Sequence, residues 1–158
     1  MGLSHISFVA IHVSDLERAR RFWVDGLGFT PLTHLVVDGR SPTAVELGLD
    51  ELHTEGLFCE RDGMRIQLQH QVRPPHVALP PIRQQLGLSH FGVRVDNMDE
   101  ALERVQEYGG SIIEGRRHRN DELGSEVARI TDPDGVRIEL LMMPGDPTAM
   151  PGRPLTSN

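Results

Sequence analysis

The chain carries one run of sequence patterns twice, and this internal repeat constrains its fold more than any single motif does. Two strand-like segments, "ISFVAIHV" at 6–13 and "SHFGVRV" at 89–95, are each followed by a helical pattern and by further strands. The two halves end in hairpins whose second strands match closely, "DGMRIQLQ" from Asp62 and "DGVRIELL" from Asp134. An Asp-Gly pair between alternating apolar residues is typical of a tight hairpin turn.

Each half therefore predicts a β-α-β-β-β module. Two such modules in tandem predict an α+β fold with curved, mostly antiparallel sheets around a shared cavity and with the helices outside. The segment "VRPPHVALPP" between the halves is rich in proline and suits an extended crossing. The predicted boundaries are 1–72 for the first module, 73–86 for the connector, 87–144 for the second module and 145–158 for a coil tail.

Both predicted helices begin next to residues that cap helices well. Ser14 and Glu17 have the spacing of a capping box, in which each side chain satisfies a backbone N–H of the first turn. Asp96 is the predicted N-cap of the second helix. Trp23 recurs at helical spacing with the other apolar residues of the first helix, so it is expected in the core.

The composition excludes several classes of partner. The chain is acidic, with 16 Lys and Arg against 23 Asp and Glu and a net charge of −7, whereas a nucleic-acid-binding face is basic. No apolar run approaches the roughly 20 residues of a membrane helix. The single cysteine, Cys59, cannot form an intrachain disulfide, and together with the lack of a secretory leader it favours the cytoplasm.

Three segments carry a resemblance to a known superfamily: "HVSDLERARRFWVDGLGF", "GLSHFGVRVDNMDEALERVQEYGG" and "ITDPDGVRIELLMM". They resemble the vicinal oxygen chelate superfamily over about residues 5–143. That superfamily includes glyoxalase I, methylmalonyl-CoA epimerase and extradiol dioxygenases, and also metal-free proteins of the bleomycin-resistance kind. The resemblance is specific for the fold and weak for the reaction, because one scaffold serves many chemistries.

The resemblance implies a divalent metal ion held by ligands on the first and last strands of each module. Carried over by motif, the implied ligands are Gln67, His90 and Glu139, and Glu139 is also the implied catalytic proton acceptor. Imidazole, carboxylate and amide donors together suit Zn, Ni, Co, Mn or Fe(II). Strand alternation agrees, because Ile66 and Ile138 are expected to pack while Gln67 and Glu139 face the cavity.

The fourth ligand position, on the first strand, holds a residue that cannot bind a metal. His90 lies five residues before Val95, and the same count back from Val13 reaches Phe8. His5 lies three residues further upstream and would need a β-bulge to join the ligands. Three alternatives follow: the three implied ligands hold the metal alone, His5 joins them through a bulge, or no metal is bound and Phe8 is one wall of a binding pocket.

Five residues are predicted to contact a substrate. Arg65, Arg94 and Arg137 share the cavity-facing parity, and guanidinium groups pair with carboxylates and phosphates, so an oxygen-rich or anionic ligand is expected. Phe8 is the predicted apolar wall. His12 has the same parity as Phe8 but lies about 13 Å further along the strand, so it is expected at the cavity mouth.

The resemblance favours a divalent-metal-dependent lyase or isomerase of the glyoxalase or epimerase type, acting on a small oxygenated substrate. An extradiol-type Fe(II) dioxygenase is the first alternative, and a metal-free small-molecule-binding or resistance protein is the second. The expected partner is a small molecule, and the habit of the superfamily favours a homodimer. Pairing of the modules within one chain and pairing across a dimer are both open.

Overall fold

A computed structural model describes residues 5–39, 42–46, 48, 52–77, 87–122, 124–146 and 148. In chain order, the elements are β1 (Val9–His12), α1 (Leu16–Arg20), β2 (Thr30–Gly39), α2 (Pro42–Glu46), β3 (Leu52–Arg61), β4 (Met64–Arg73), β5 (Phe91–Arg94), α3 (Met98–Glu107), β6 (Ser111–Asn120), β7 (Ser125–Thr131) and β8 (Arg137–Met142). A π-helical stretch, Arg21–Gly26, continues α1. Most of the predicted connector and of the predicted tail lies outside the described residues.

The strands form two four-stranded mixed sheets with matching topology. Their strand orders are β1-β4-β3-β2 and β5-β8-β7-β6. In each sheet the first strand of the module pairs in parallel with the last, and the remaining pairings are antiparallel. The predicted fold class, α+β with two tandem β-α-β-β-β modules, is therefore confirmed.

The turn between β3 and β4 fixes the register of the first sheet. Asp62 and Gly63 both have positive φ, 53° and 79°, which is the backbone of the tight hairpin turn that Asp-Gly favours. From this turn the ladder continues through the pairs Arg61–Met64 and Glu60–Arg65. The hairpin is where the sequence predicts it.

The helix caps differ from the expected ones by one residue. Asp15, not Ser14, is the N-cap of α1, and its side chain accepts from Arg18 N at 2.8 Å. The second helix begins in the same way after Asn97 instead of Asp96. Because both caps shift by one residue, the spacing between equivalent positions of the two modules stays the same.

The helices lie between the modules and not on the outside, which differs from expectation. The ring of Trp23, from the first module, is 5.5 Å from that of Phe91 in β5. Arg104 of α3 donates to the carbonyl of Gly26 at 2.7 Å. This position of the helices buries apolar surface. Phe22 and Trp23 are both fully buried, and the packing faces of both sheets join them in one core.

The sequence also made predictions about membrane-spanning helices and about the single cysteine, Cys59. None of the helices in the described part of the chain is long and apolar enough to cross a membrane. Cys59 is buried in β3, and burial raises the pKa of its thiol to about 11. A thiol with such a pKa is protonated at neutral pH and unreactive, so Cys59 serves as a small apolar residue of the core.

Candidate functional site

The second sheet presents Glu139 on the face that points away from the core. Phe91 in β5 pairs with Ile138 in β8, and both are buried in the core. Gly92 pairs with Glu139 one position further on, so these two residues lie on the opposite face. His90 lies two residues before Gly92 and is exposed. Glu139 thus lies in β8, and His90 directly precedes β5, the strand that pairs with β8.

Protein partners orient both side chains. The Glu139 carboxylate pairs with Arg129 of β7, whose terminal nitrogen lies 2.9 Å from Oε2, and the Glu139 side chain is about a quarter exposed. Nδ1 of His90 lies 2.8 Å from the hydroxyl oxygen of Ser89. This contact leaves Nε2 as the ring nitrogen of His90 that can bind a ligand.

Gln67 lies on the outward face of the first sheet and is held by a glycine. It is buried at 8% exposure, between Ala10 of β1 and Phe58 of β3 in the ladder. A Cβ atom on Gly56 would lie 2.8 Å from Nε2 of Gln67. The absence of a side chain on Gly56 therefore provides the space that the Gln67 amide occupies.

Phe8 forms an aromatic pair on the same face. Its ring meets that of Phe58 edge to face with centroids 5.1 Å apart, and 44% of Phe8 is exposed. The Phe58 contact was not expected from the sequence. The position of Phe58 could have been inferred from the hairpin register, because Phe58 pairs with Gln67 across the turn that begins at Asp62.

His5 lies beside Phe8 in an open cleft of about 450 Å³ at the start of β1. Glu60 and Arg65 also line this cleft. β1 pairs with β4 without a break in register from Val9 to His12, and His5 lies four residues before this strand. The contact between His5 and a metal therefore stays a prediction.

His12 lies at the other end of β1, and its place at a cavity mouth stays a prediction. Its ring stacks on that of His76, with centroids 3.7 Å apart and an interplanar angle of 17°. His76 follows β4 at the beginning of the predicted connector. No sequence signal indicated this contact, because it depends on the path of an irregular segment.

The three predicted substrate-binding arginines differ in their partners. Arg65 pairs with Glu60 at 2.8 Å, and Arg94 donates to the carbonyl of Met143 at 3.1 Å. Arg137 is partly buried at the start of β8, opposite Thr131. Their roles in substrate binding stay predictions.

The candidate ligands lie on two different sheets. The packing faces of both sheets share one core with the helices, so the opposite faces, which carry Gln67 and Glu139, point away from that core. Within the described residues, no group of three or more His, Cys, Asp or Glu side chains is arranged to hold a metal ion. Of the predicted donors, Gln67 lies in the first sheet, Glu139 lies in the second, and His90 directly precedes the second.

The two β-α-β-β-β modules with matching sheets define a class of small α+β proteins. The sequence model of the Glyoxalase/Bleomycin resistance protein/Dioxygenase superfamily matches residues 2–140. The chain belongs to this superfamily, and the resemblance inferred from its motifs is confirmed.

Individual relatives are more distant. The chain is 29% identical to the uncharacterised protein YwkD of Bacillus subtilis over 141 residues, which are 89% of this chain and 98% of YwkD. It is also 29% identical to the catechol-2,3-dioxygenase of B. subtilis over 87% of its own length but only 41% of that enzyme. A glyoxalase family protein from Bacillus cereus has a similar structure, with a TM-score of 0.76, 21% identity and coverage of 92% of this chain and 97% of that one.

Proposed function

We propose that the protein is a divalent-metal-dependent lyase or isomerase of the glyoxalase or epimerase type, acting on a small oxygenated substrate. The observation that carries this proposal is that Glu139 of β8 pairs with Gly92 of β5, two residues after the exposed His90 that precedes this strand. An imidazole nitrogen and a carboxylate oxygen are donors that suit a borderline divalent ion. The buried, unpaired Cys59 thiol suits a reducing compartment, and we propose the cytoplasm.

The donor chemistry of three residues suits a metal, and in this proposal each has a separate task. His90 would donate Nε2, Glu139 a carboxylate oxygen and Gln67 its amide oxygen. A bound divalent ion would act as a Lewis acid on two neighbouring substrate oxygens. Arg129 keeps the Glu139 carboxylate in position through their ion pair. Glu139 is the group that would accept and return a substrate proton.

The complete site requires a second copy of the chain in this proposal. Gln67 and the pair His90–Glu139 lie on faces that point away from one core, so one chain does not close a cavity around all three. Phe8 and Leu35, both exposed, add apolar area to the first of these faces. In a homodimer, the first-sheet face of one chain would meet the second-sheet face of its partner, and Arg65 would join Arg94 and Arg137 around an anionic substrate.

Metal analysis of protein purified without chelators tests the proposal. Wild-type protein should contain stoichiometric metal, whereas His90→Ala and Glu139→Gln should contain little. His118→Ala is the matched control, because His118 is an exposed histidine of β6, two strands from Glu139 in the second sheet. Metal-free wild-type protein that binds a flat aromatic ligand tightly would instead support the metal-free binding protein.

A second candidate function is an extradiol-type Fe(II) dioxygenase. The observation in its favour is the 29% identity to a catechol-2,3-dioxygenase. Such an iron site uses two histidines and one carboxylate, and the first-strand position here is Phe8. Oxygen uptake with Fe(II) and a catechol would favour the dioxygenase, and the absence of uptake in iron-loaded protein would exclude it.

A further inference from the structure

The four residues that follow β4 fold back over the outward face of the first sheet. We call this segment, residues 74–77, the strap. His76 of the strap stacks on His12 of β1, with ring centroids 3.7 Å apart. The side-chain amide of Gln71, in β4, donates to the carbonyl of Pro74. The strap is therefore attached at its beginning by a hydrogen bond and at its third residue by a ring stack.

The surroundings of His76 favour its neutral form. Nδ1 of His76 is buried and has no hydrogen-bond partner among the described residues. A proton on Nδ1 would be a buried donor without an acceptor, which is costly. Burial lowers the pKa of His76, and the charges of His12 on β1 and His70 on β4 lower it further. Arg73, directly before the strap, is a further cationic residue of β4.

We propose that the strap is a pH-sensitive cover, which lies on the first sheet while the His76 ring is neutral and lifts from it when His76 gains a proton. Two positive rings in this stack would repel each other, and their charges would be better solvated apart. The closed strap binds protons more weakly than the open strap. It is therefore favoured at high pH and lost as the pH falls through the pKa of His76.

Opening of the strap would expose the face of the His12 ring that His76 covers. In the closed state, one face of the His12 ring is covered by His76. If His12 contacts the substrate, which rests on the proposed function, acidification would make this ring accessible at the cavity mouth. The strap itself depends only on the two rings and on the Gln71 hydrogen bond.

Aromatic and amide NMR of the full chain during a pH titration tests the strap. We expect His76 to titrate below the ordinary 6.5. The ring-current shifts of His12 and His76 should disappear with that same midpoint, and the amides of residues 76 and 77 should lose protection together with them. A His76 midpoint at or above 6.5, or ring-current shifts that persist below the midpoint, would overturn the proposal.

Two variants separate charge from stacking. His12→Phe keeps an aromatic partner but removes one charge, so the His76 midpoint should move up towards 6.5 and the strap should stay closed to lower pH. His76→Phe should keep the strap closed at every pH at which the protein is folded. His118→Phe, in the other module, should leave the midpoint unchanged. An unshifted midpoint in His12→Phe, or acid opening in His76→Phe, would contradict the strap while leaving the metal content, and so the proposed function, untouched.

Discussion

Phe8 and His90 occupy equivalent positions in the two modules. Phe8 lies two residues before Ala10, which pairs with Gln67 in the last strand of the first module. His90 lies two residues before Gly92, which pairs with Glu139 in the last strand of the second module. The equivalent positions carry opposite chemistry, since one presents an imidazole and the other a phenyl ring that packs on Phe58. This difference between otherwise matching modules is what limits the proposed metal site to three protein ligands.

A histidine at position 8, equivalent to His90 in the second module, should strengthen metal binding. Phe8→His would place a second imidazole at the equivalent position, and we expect the affinity for Zn or Ni to rise at least about tenfold, or about 1.4 kcal/mol. Titration calorimetry measures the change. Phe8→Ala is the control, because it removes the same ring without adding a donor. Equal affinities for the two variants would show that this position does not reach the metal.

The repeat predicted most of the fold, because hydrophobic alternation and turn chemistry are local signals. Counting from the predicted caps identified Phe8 as the equivalent of His90, and the ladder registers give the same alignment although both caps lie one residue later. Alternation also predicted correctly that Ile66 packs in the core while Gln67 does not face it.

What the sequence did not predict depends on contacts between distant segments. The position of the helices between the modules follows from the burial of Phe22 and Trp23 against both sheets, which no local pattern encodes. The Gly56 space under the Gln67 amide and the stack of His76 on His12 are likewise tertiary contacts. Residues of a site that lie on irregular segments are the hardest to find from sequence, since periodicity does not apply to them.

The contact between Trp23 and Asp132 should contribute measurably to stability. The indole N–H donates to Oδ2 at 3.2 Å, and both residues are buried where the modules meet. Trp23→Phe would leave that oxygen without its donor, and we expect the free energy of unfolding to fall by about 1–3 kcal/mol. Urea unfolding of Trp23→Phe, Asp132→Asn and the double variant should give a coupling of about 0.5–3 kcal/mol. Simple additivity of the two changes would contradict the contact.

Asp132 should also make the stability depend on pH. Burial raises the pKa of its carboxyl, although Trp23, Asp134 and Val136 donate N–H groups to it. A carboxyl whose pKa is raised by folding favours the folded state when protonated, so this contribution is complete below the ordinary 3.8 and is lost as the pH rises through the folded value. The stability of wild type relative to Asp132→Asn should therefore increase as the pH is lowered.

Urea unfolding at several pH values checks this prediction for Asp132. The exposed Asp121 provides the control, since Asp121→Asn replaces a carboxyl that pairs with Arg119 at the surface. Its stability relative to wild type should not follow the same trend. A wild-type advantage over Asp132→Asn that shrinks on acidification would show that the pKa of Asp132 is lowered in the folded protein.

Gly56→Ala should disturb the proposed metal site without unfolding the protein. The added methyl group would lie 2.8 Å from Nε2 of Gln67, which must move. Because that atom is the end of a flexible side chain, we expect the free energy of unfolding to fall by no more than about 1 kcal/mol. Metal affinity should nevertheless fall by the same factor as in Gln67→Ala, and combining the two changes should weaken binding no further. If Gln67→Ala weakens binding but Gly56→Ala does not, the amide can bind the metal from a position that does not need the space above Gly56.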